Sequence, residues 1–139
     1  NELTSMLCLA AKSGVDVRIT VPHIPDKRMV FMMTRSFYAR LIEAGVKIYE
    51  YTPGFVHAKS MVSDNKVAYV GTCNLDYRSL YLHFECGAVL YECPCIRDIR
   101  DDYLATVALS EEITYKKARG ANIFVRLARS VLRIFAPLL

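Results

Sequence analysis

No run of about 18 uncharged apolar residues occurs in this sequence, so no segment is expected to span a membrane. No signal peptide or targeting stretch is recognisable. The five cysteines, Cys8, Cys73, Cys86, Cys93 and Cys95, are odd in number and irregular in spacing, which argues against a disulfide scaffold. Cys93-Pro94-Cys95 is C-x-C, and no second Cys/His pair completes a zinc set. No metal is therefore expected, and reduced thiols suit a cytoplasmic environment. Internal repeats and low-complexity tracts are also missing. Neither sign of charge dominates: 18 basic residues against 14 acidic give +4. That excess suits an anionic partner such as phosphate, nucleic acid or a lipid surface without choosing among them. What remains is 139 residues, 53% hydrophobic and 23% charged, enough for one domain with a buried core.

The chain opens on Asn1, and Glu2 to Ser13 reads as a helix already under way with no strand before it. The chain is expected to be a piece of something longer. That first helix would place Leu3, Met6, Leu7 and Ala10 on one face, with Gly14 as its stop. Val15 to Val21 alternates as a half-buried strand. Pro22 to Asp26 is a loop, and 29–44 a second helix with Val30, Met33, Phe37, Leu41 and Ala44 at helical spacing. Val46 to Tyr51 is the next strand. Helix–strand–helix–strand with short loops predicts an α/β sandwich with parallel pairing.

After the turn Thr52-Pro53-Gly54 the pattern changes. Phe55 to Ser63 and Lys66 to Val70 read as strands joined by Asp64-Asn65, a two-residue hairpin signal. His83 to Tyr91 is another apolar strand, and 95–110 looks helical. This divides the chain into a domain at 1–110, a polar linker at 111–121 ending in Gly120, and a final helix at 122–139. On that helix Asn122 is the expected N-cap and Pro137 the stop, with Arg126, Arg129 and Arg133 on one face and apolar residues on most of the rest. Such a helix suits a membrane surface, with arginine on anionic headgroups. The bland alternative is a helix packed on the domain or on a partner.

The chemistry concentrates in residues 57–85. His57 and Lys59 lie two apart on an expected strand, so both side chains leave one face, about 6.6 Å apart along the chain. On a buried strand the pair would be costly as core, and makes sense if it shares an anion. Gly71-Thr72-Cys73-Asn74 supplies a loop where backbone can approach a ligand closely. Its Thr hydroxyl, Asn amide and N–H groups can donate to phosphate oxygens. Asp64 sits in the hairpin turn. Asp76 and Arg78 follow the loop and are expected to brace it as an ion pair, and Glu85 lies where a carboxylate could orient an imidazole.

His57-x-Lys59-x4-Asp64-x6-Gly71-Thr72-x-Asn74 resembles the HKD motif of the phospholipase D superfamily. The runs from Ala44 to Lys59 and from Gly71 to Ser79 are similar to the C-terminal half of bacterial cardiolipin synthases, and the similarity covers nearly the whole chain. The resemblance implies a phospholipase D-like α/β/α sandwich with a mixed sheet flanked by helices. It also implies a two-step phosphatidyl transfer between two phosphatidylglycerol molecules, giving cardiolipin and glycerol through a phosphohistidine, with no metal or cofactor. One motif histidine attacks phosphorus. The other protonates the leaving alcohol and then deprotonates the acceptor, the role expected of the C-terminal motif. Carried over, His57 is the catalytic imidazole, with Lys59, Thr72 and Asn74 on phosphate and Asp64 the third residue of the motif's name, structural in kind. Gly71, Asp76, Arg78 and Glu85 support the site, Glu85 as the carboxylate that orients the histidine.

One departure matters. Only one H-x-K exists, since Ile24-Pro25 follows His23 and Phe84-Glu85 follows His83. A second motif must come from an N-terminal half or from another copy of the chain, and the isolated chain is expected to be inactive. The expected setting is a bacterial cell membrane with the active domain on its cytoplasmic side. Two alternatives stand beside this reading: a homodimeric phospholipase D-like phosphodiesterase or nuclease, and a non-catalytic interaction domain. A charge of +4 with no basic stripe near the motif disfavours nucleic acid.

Overall fold

The computed structural model describes residues 2–120 together with Val125, Leu127, Val131 and Leu132. Those last four are helical, while the arginine face expected of the C-terminal helix (Arg126, Arg129, Arg133) lies outside the described residues. The elements run α1 (Glu2–Lys12), β1 (Arg18–Pro22), α2 (Arg28–Glu43), β2 (Lys47–Tyr51), β3 (Lys59–Ser63), β4 (Val67–Gly71), α3 (Tyr77–Tyr81), β5 (Gly87–Tyr91), α4 (Cys95–Ala108), β6 (Ser110–Glu112) and α5 (Tyr115–Arg119).

The α/β class is as expected. A mixed sheet of order β1-β2-β6 pairs β1 with β2 in parallel, from Arg18↔Lys47 to Pro22↔Tyr51. β6 closes its other edge antiparallel. A second sheet, β3-β4-β5, is an antiparallel meander. Helix α4 touches strands of both sheets and ties them together, with Ile96 fully buried beneath.

Helices α1 and α2 each bury one stripe at helical spacing. On α2, Met33, Leu41 and Ala44 are buried, with Tyr38 and Ser36 beside them. The helix ends at Gly45, whose φ of +100° lets Val46 N donate back to Leu41 O. On α1 the inward stripe is Thr4, Leu7, Cys8 and Ala11. This corrects the expected face, because Met6 is 68% exposed. Leu7 is common to both stripes and Leu3 and Ala10 are half-buried, so the face is offset by about one position: periodicity alone does not say which of two adjacent stripes meets the core.

The core itself is Tyr38, Leu41, Val46, Ile48 and Ile113. Ile113 corrects the reading of 111–121 as a linker. It is 4% exposed and donates its N–H to Ile48 O at 2.8 Å. β6 pairs with β2, Thr114 caps α5, and α5 packs on α2. One buried isoleucine in a polar run was enough to anchor the segment, too sparse a signal for a periodicity argument.

Candidate active site

The site stands on the second sheet. Lys59, Gly71 and Gly87 are cross-strand partners in one row, so they share a face. Two residues along, Met61, Tyr69 and Val89 form the next row of the same face. The opposite face carries buried Ala68 and rests on α4. At the far end of β3, Asp64 (φ 50°) and Asn65 (φ 56°) turn the chain, and Lys66 N donates to Ser63 O. The paired ends are Ser63↔Val67, so three residues lie between them, one more than the expected two-residue loop. The extra residue is Lys66, whose carbonyl accepts from Glu92 N at 2.8 Å. Asp64 lies five residues from Lys59 along β3, about 16 Å away, and serves the turn.

His57 is not on the strand, which begins at Lys59. The two residues meet differently: Lys59 Nζ donates to His57 O at 2.7 Å, and the His57 ring stacks on Phe55 with centroids 5.7 Å apart. Nor is this a buried strand as expected, since His57, Ala58 and Ser60 are all exposed. The imidazole is exposed and makes no hydrogen bond among the described residues. Asn74 is exposed as well.

Behind the motif the hydrogen bonds are dense. Asp76 accepts from Ser79 N at 2.7 Å and so caps α3. Arg78 donates from Nε to His83 Nε2 at 2.6 Å. The expected Asp76–Arg78 ion pair is therefore corrected: the carboxylate's nearest unsatisfied donor is the amide three residues on, a local bond that needs no side-chain partner.

Glu85 does not reach His57. Its carboxylate accepts from the Thr72 hydroxyl at 2.5 Å. The Thr72 and Ser79 hydroxyls hold the Glu85 carboxyl below the usual range, with His83 and Lys59 adding attraction. Thr72 N also donates to Cys86 O, and Cys86 N donates to Thr72 Oγ1. Both donors of Thr72 are thus engaged within the fold. Thr72 joins the loop to the start of β5, and its hydroxyl proton is not free for phosphate as expected. Of the motif's own side chains, those left to hold an anion are Lys59, Asn74 and His57.

Gly71 owes its size to a neighbour rather than to an open approach. A Cβ there would stand 2.5 Å from Cys86 O and 2.6 Å from Tyr69 Cζ. At Gly87 it would stand 2.6 Å from the same ring carbon. The Tyr69 ring lies flat across this glycine pair, and its hydroxyl accepts from Cys73 N at 3.3 Å. Gly71→Ala is expected to destabilise the domain by about 1–3 kcal/mol through overpacking. A denaturant titration checks this, and an unchanged midpoint would contradict the contact.

A second cluster escaped sequence reasoning. Glu50, fully buried on β2, accepts from Arg35 Nε at 2.9 Å and from a terminal Arg35 nitrogen at 2.7 Å. Tyr38 Oη donates at 3.1 Å, and His23 Nδ1 lies 2.8 Å from the other oxygen. Burial pushes the Glu50 carboxyl up, but the Arg35 and His23 bonds outweigh it and the net shift is downward. Burial, and then the Glu50 charge, push the Tyr38 phenol well above its ordinary range. Arg35 also stacks on Phe31 at 4.2 Å. The signal in the sequence was Glu50 at a strand position flanked by Ile48 and Tyr49, where a charge is costly without a partner.

An α/β domain carrying H-x-K at the entry of one antiparallel strand, and G-T-x-N at the exit of its neighbour, has the layout of a phosphodiester-transfer site of phospholipase D type. The chain belongs to the cardiolipin synthase, phospholipase D-like domain family, which it matches over residues 1–107. It is 42% identical over 138 residues to a cardiolipin synthase of Halalkalibacterium halodurans, covering 99% of this chain and 27% of that protein. A cardiolipin synthase of Alkalihalophilus pseudofirmus is 42% identical over 139 residues, 100% of this chain and 28% of that protein. An uncharacterized protein of Streptococcus mutans is 45% identical over 139 residues, 30% of its length. The chain therefore spans less than a third of each of these relatives.

Proposed function

We propose that this chain is the C-terminal catalytic half of a cardiolipin synthase. The observation that carries the reading is the exposed, unbonded His57 imidazole beside Lys59, with Asn74 in the loop after the neighbouring strand. In the first step an imidazole nitrogen of the second motif, supplied from outside this chain, attacks the phosphorus of one phosphatidylglycerol. The P–O bond to glycerol breaks, and His57 gives its proton to the departing alkoxide. In the second step His57 takes the proton from a hydroxyl of the other phosphatidylglycerol. That oxygen displaces the phosphohistidine nitrogen, giving cardiolipin. Lys59 and Asn74 hold the non-bridging oxygens, where charge is concentrated through both steps. Asp64 and Glu85 act on the scaffold, Glu85 by fixing Thr72.

The need for a second half is supported by surface chemistry. On the face that carries Lys59, Met61 is 53% exposed and Val89 71%, and Phe84 next to Glu85 is wholly exposed. An apolar surface continuous with a reaction site suits a polypeptide partner, either an N-terminal HKD half or a second copy. A phosphatidylglycerol substrate implies work at a membrane surface, and the cytoplasmic side is part of the proposal. Contact through the basic C-terminal helix expected at 122–139 is the attachment proposed for this part of the protein; among the described residues no helix is long and apolar enough to cross a membrane.

Mass spectrometry with short-chain phosphatidylglycerol tests this. The chain alone is expected to form no cardiolipin, and the chain mixed with its N-terminal half to form it. Cardiolipin from a demonstrably monomeric sample would sink the two-half reading. Cleavage of a phosphodiester other than phosphatidylglycerol, by a dimer, would favour a homodimeric phosphodiesterase. No turnover by the mixture would favour a non-catalytic domain.

A further inference from the structure

The geometry points to Tyr69 as a phosphate-binding residue of the transfer site, its phenolic O–H donating to a non-bridging phosphate oxygen in place of Thr72. The inference rests on the phosphoryl-transfer reading of the site.

Four observations converge on it. Tyr69 shares a sheet face with Lys59, since Met61↔Tyr69 and Lys59↔Gly71 are successive partners two residues apart. Its side chain runs toward the Gly71 end of that face. A Cβ on Gly87 would stand 2.5 Å from the Tyr69 hydroxyl, and one on Gly71 2.6 Å from Cζ. The hydroxyl therefore lies over the glycine row that Lys59 flanks, beside the first residue of the G-T-C-N loop. It is held there by Cys73 N–H, which it accepts at 3.3 Å.

That bond uses a lone pair and leaves the phenolic proton. Among the described residues no acceptor takes it, and Tyr69 is only half-buried, so the proton is available to a ligand. Thr72, the residue that the motif would nominate, has its hydroxyl proton on Glu85 and its amide on Cys86 O. The donor that the loop withdraws is supplied instead from the strand beneath it. The two glycines find a reason here as well: any side chain at Gly71 or Gly87 would displace the ring and carry the hydroxyl away from Lys59.

A hydrogen bond to a charged oxygen is strong, so its loss is expected to weaken anion binding about 10-fold. The test uses the full-length protein and Tyr69→Phe, which keeps the ring over the glycines and removes only the hydroxyl. Orthovanadate serves as the phosphate probe, titrated by NMR, with thermal melting run in parallel. The expected result is a vanadate Kd raised about 10-fold and a matching loss in kcat/KM for phosphatidylglycerol, with the melting temperature lowered only by the small amount that loss of the long Cys73 N–H bond accounts for. Equal vanadate affinity in wild type and variant would overturn the proposal, and so would a lowered melting temperature with unchanged affinity, which would leave Tyr69 as a brace. Vanadate binding without cardiolipin synthesis would defeat the function reading alone. Absence of vanadate binding in the wild type would defeat both.

Discussion

Replacing His57 by alanine in the complete transferase should lower cardiolipin formation about 10³-fold while leaving the fold intact. The two halves of this expectation have separate grounds. His57 is exposed, and its one ring contact among the described residues is the stack on Phe55. Removing the ring deletes no hydrogen bond and opens no cavity, so stability should move by less than about 0.5 kcal/mol. The rate should respond strongly, because general acid–base catalysis by a positioned imidazole is worth roughly 10²–10⁴. Lys59 would remain anchored, since its bond is to the backbone oxygen of residue 57 and not to the imidazole. Steady-state kinetics with short-chain phosphatidylglycerol, paired with a melt, gives both numbers. A variant within tenfold of wild type would remove His57 from the reaction.

Glu50→Ala should instead be a stability variant, costing about 3–5 kcal/mol. The carboxylate is fully buried and closes a network with Arg35, Tyr38 and His23. Its removal leaves the buried Tyr38 hydroxyl and the partly buried Arg35 guanidinium without their partner. Because the Glu50 carboxyl is lowered on folding, the native state holds it ionised more readily than the unfolded chain does. The network's contribution is thus complete above the ordinary glutamate value near 4.5 and is lost as pH falls through the depressed folded value. Urea midpoints should separate wild type from variant most at pH 7, and the gap should narrow in acid. A gap independent of pH would mean that packing, and not charge, is what Glu50 supplies.

These two residues differ in how visible they were. His57 sits in a run of 18 residues, His57 to Asn74, whose fixed spacing is itself the signal. Short-range spacing survives in one dimension because a hairpin brings its own neighbours together. Glu50 draws partners from positions 23, 35 and 38, on elements that meet only once β1 and β2 pair and α2 packs across them. Nothing in spacing announces that meeting. Thr72 shows the intermediate case. Its place in the motif was plain, but whether its proton faces substrate or Glu85 depends on where β5 begins, and β5 starts at Gly87, four residues later than its apolar run suggested.

By itself the sequence determined the α/β class, the parallel β1–β2 pair, the β3–β4 hairpin and the HKD spacing, because alternation, helical period and turn residues act between near neighbours. Tertiary structure alone decided which stripe of α1 faces inward, that residues 111–120 fold back through Ile113, and that Glu85 holds Thr72. It also decided that Tyr69 covers Gly71 and Gly87. Each of these depends on which surface a residue meets across the fold, and that choice is made by packing among distant segments, where buried polar groups must find partners and side-chain volumes must fit.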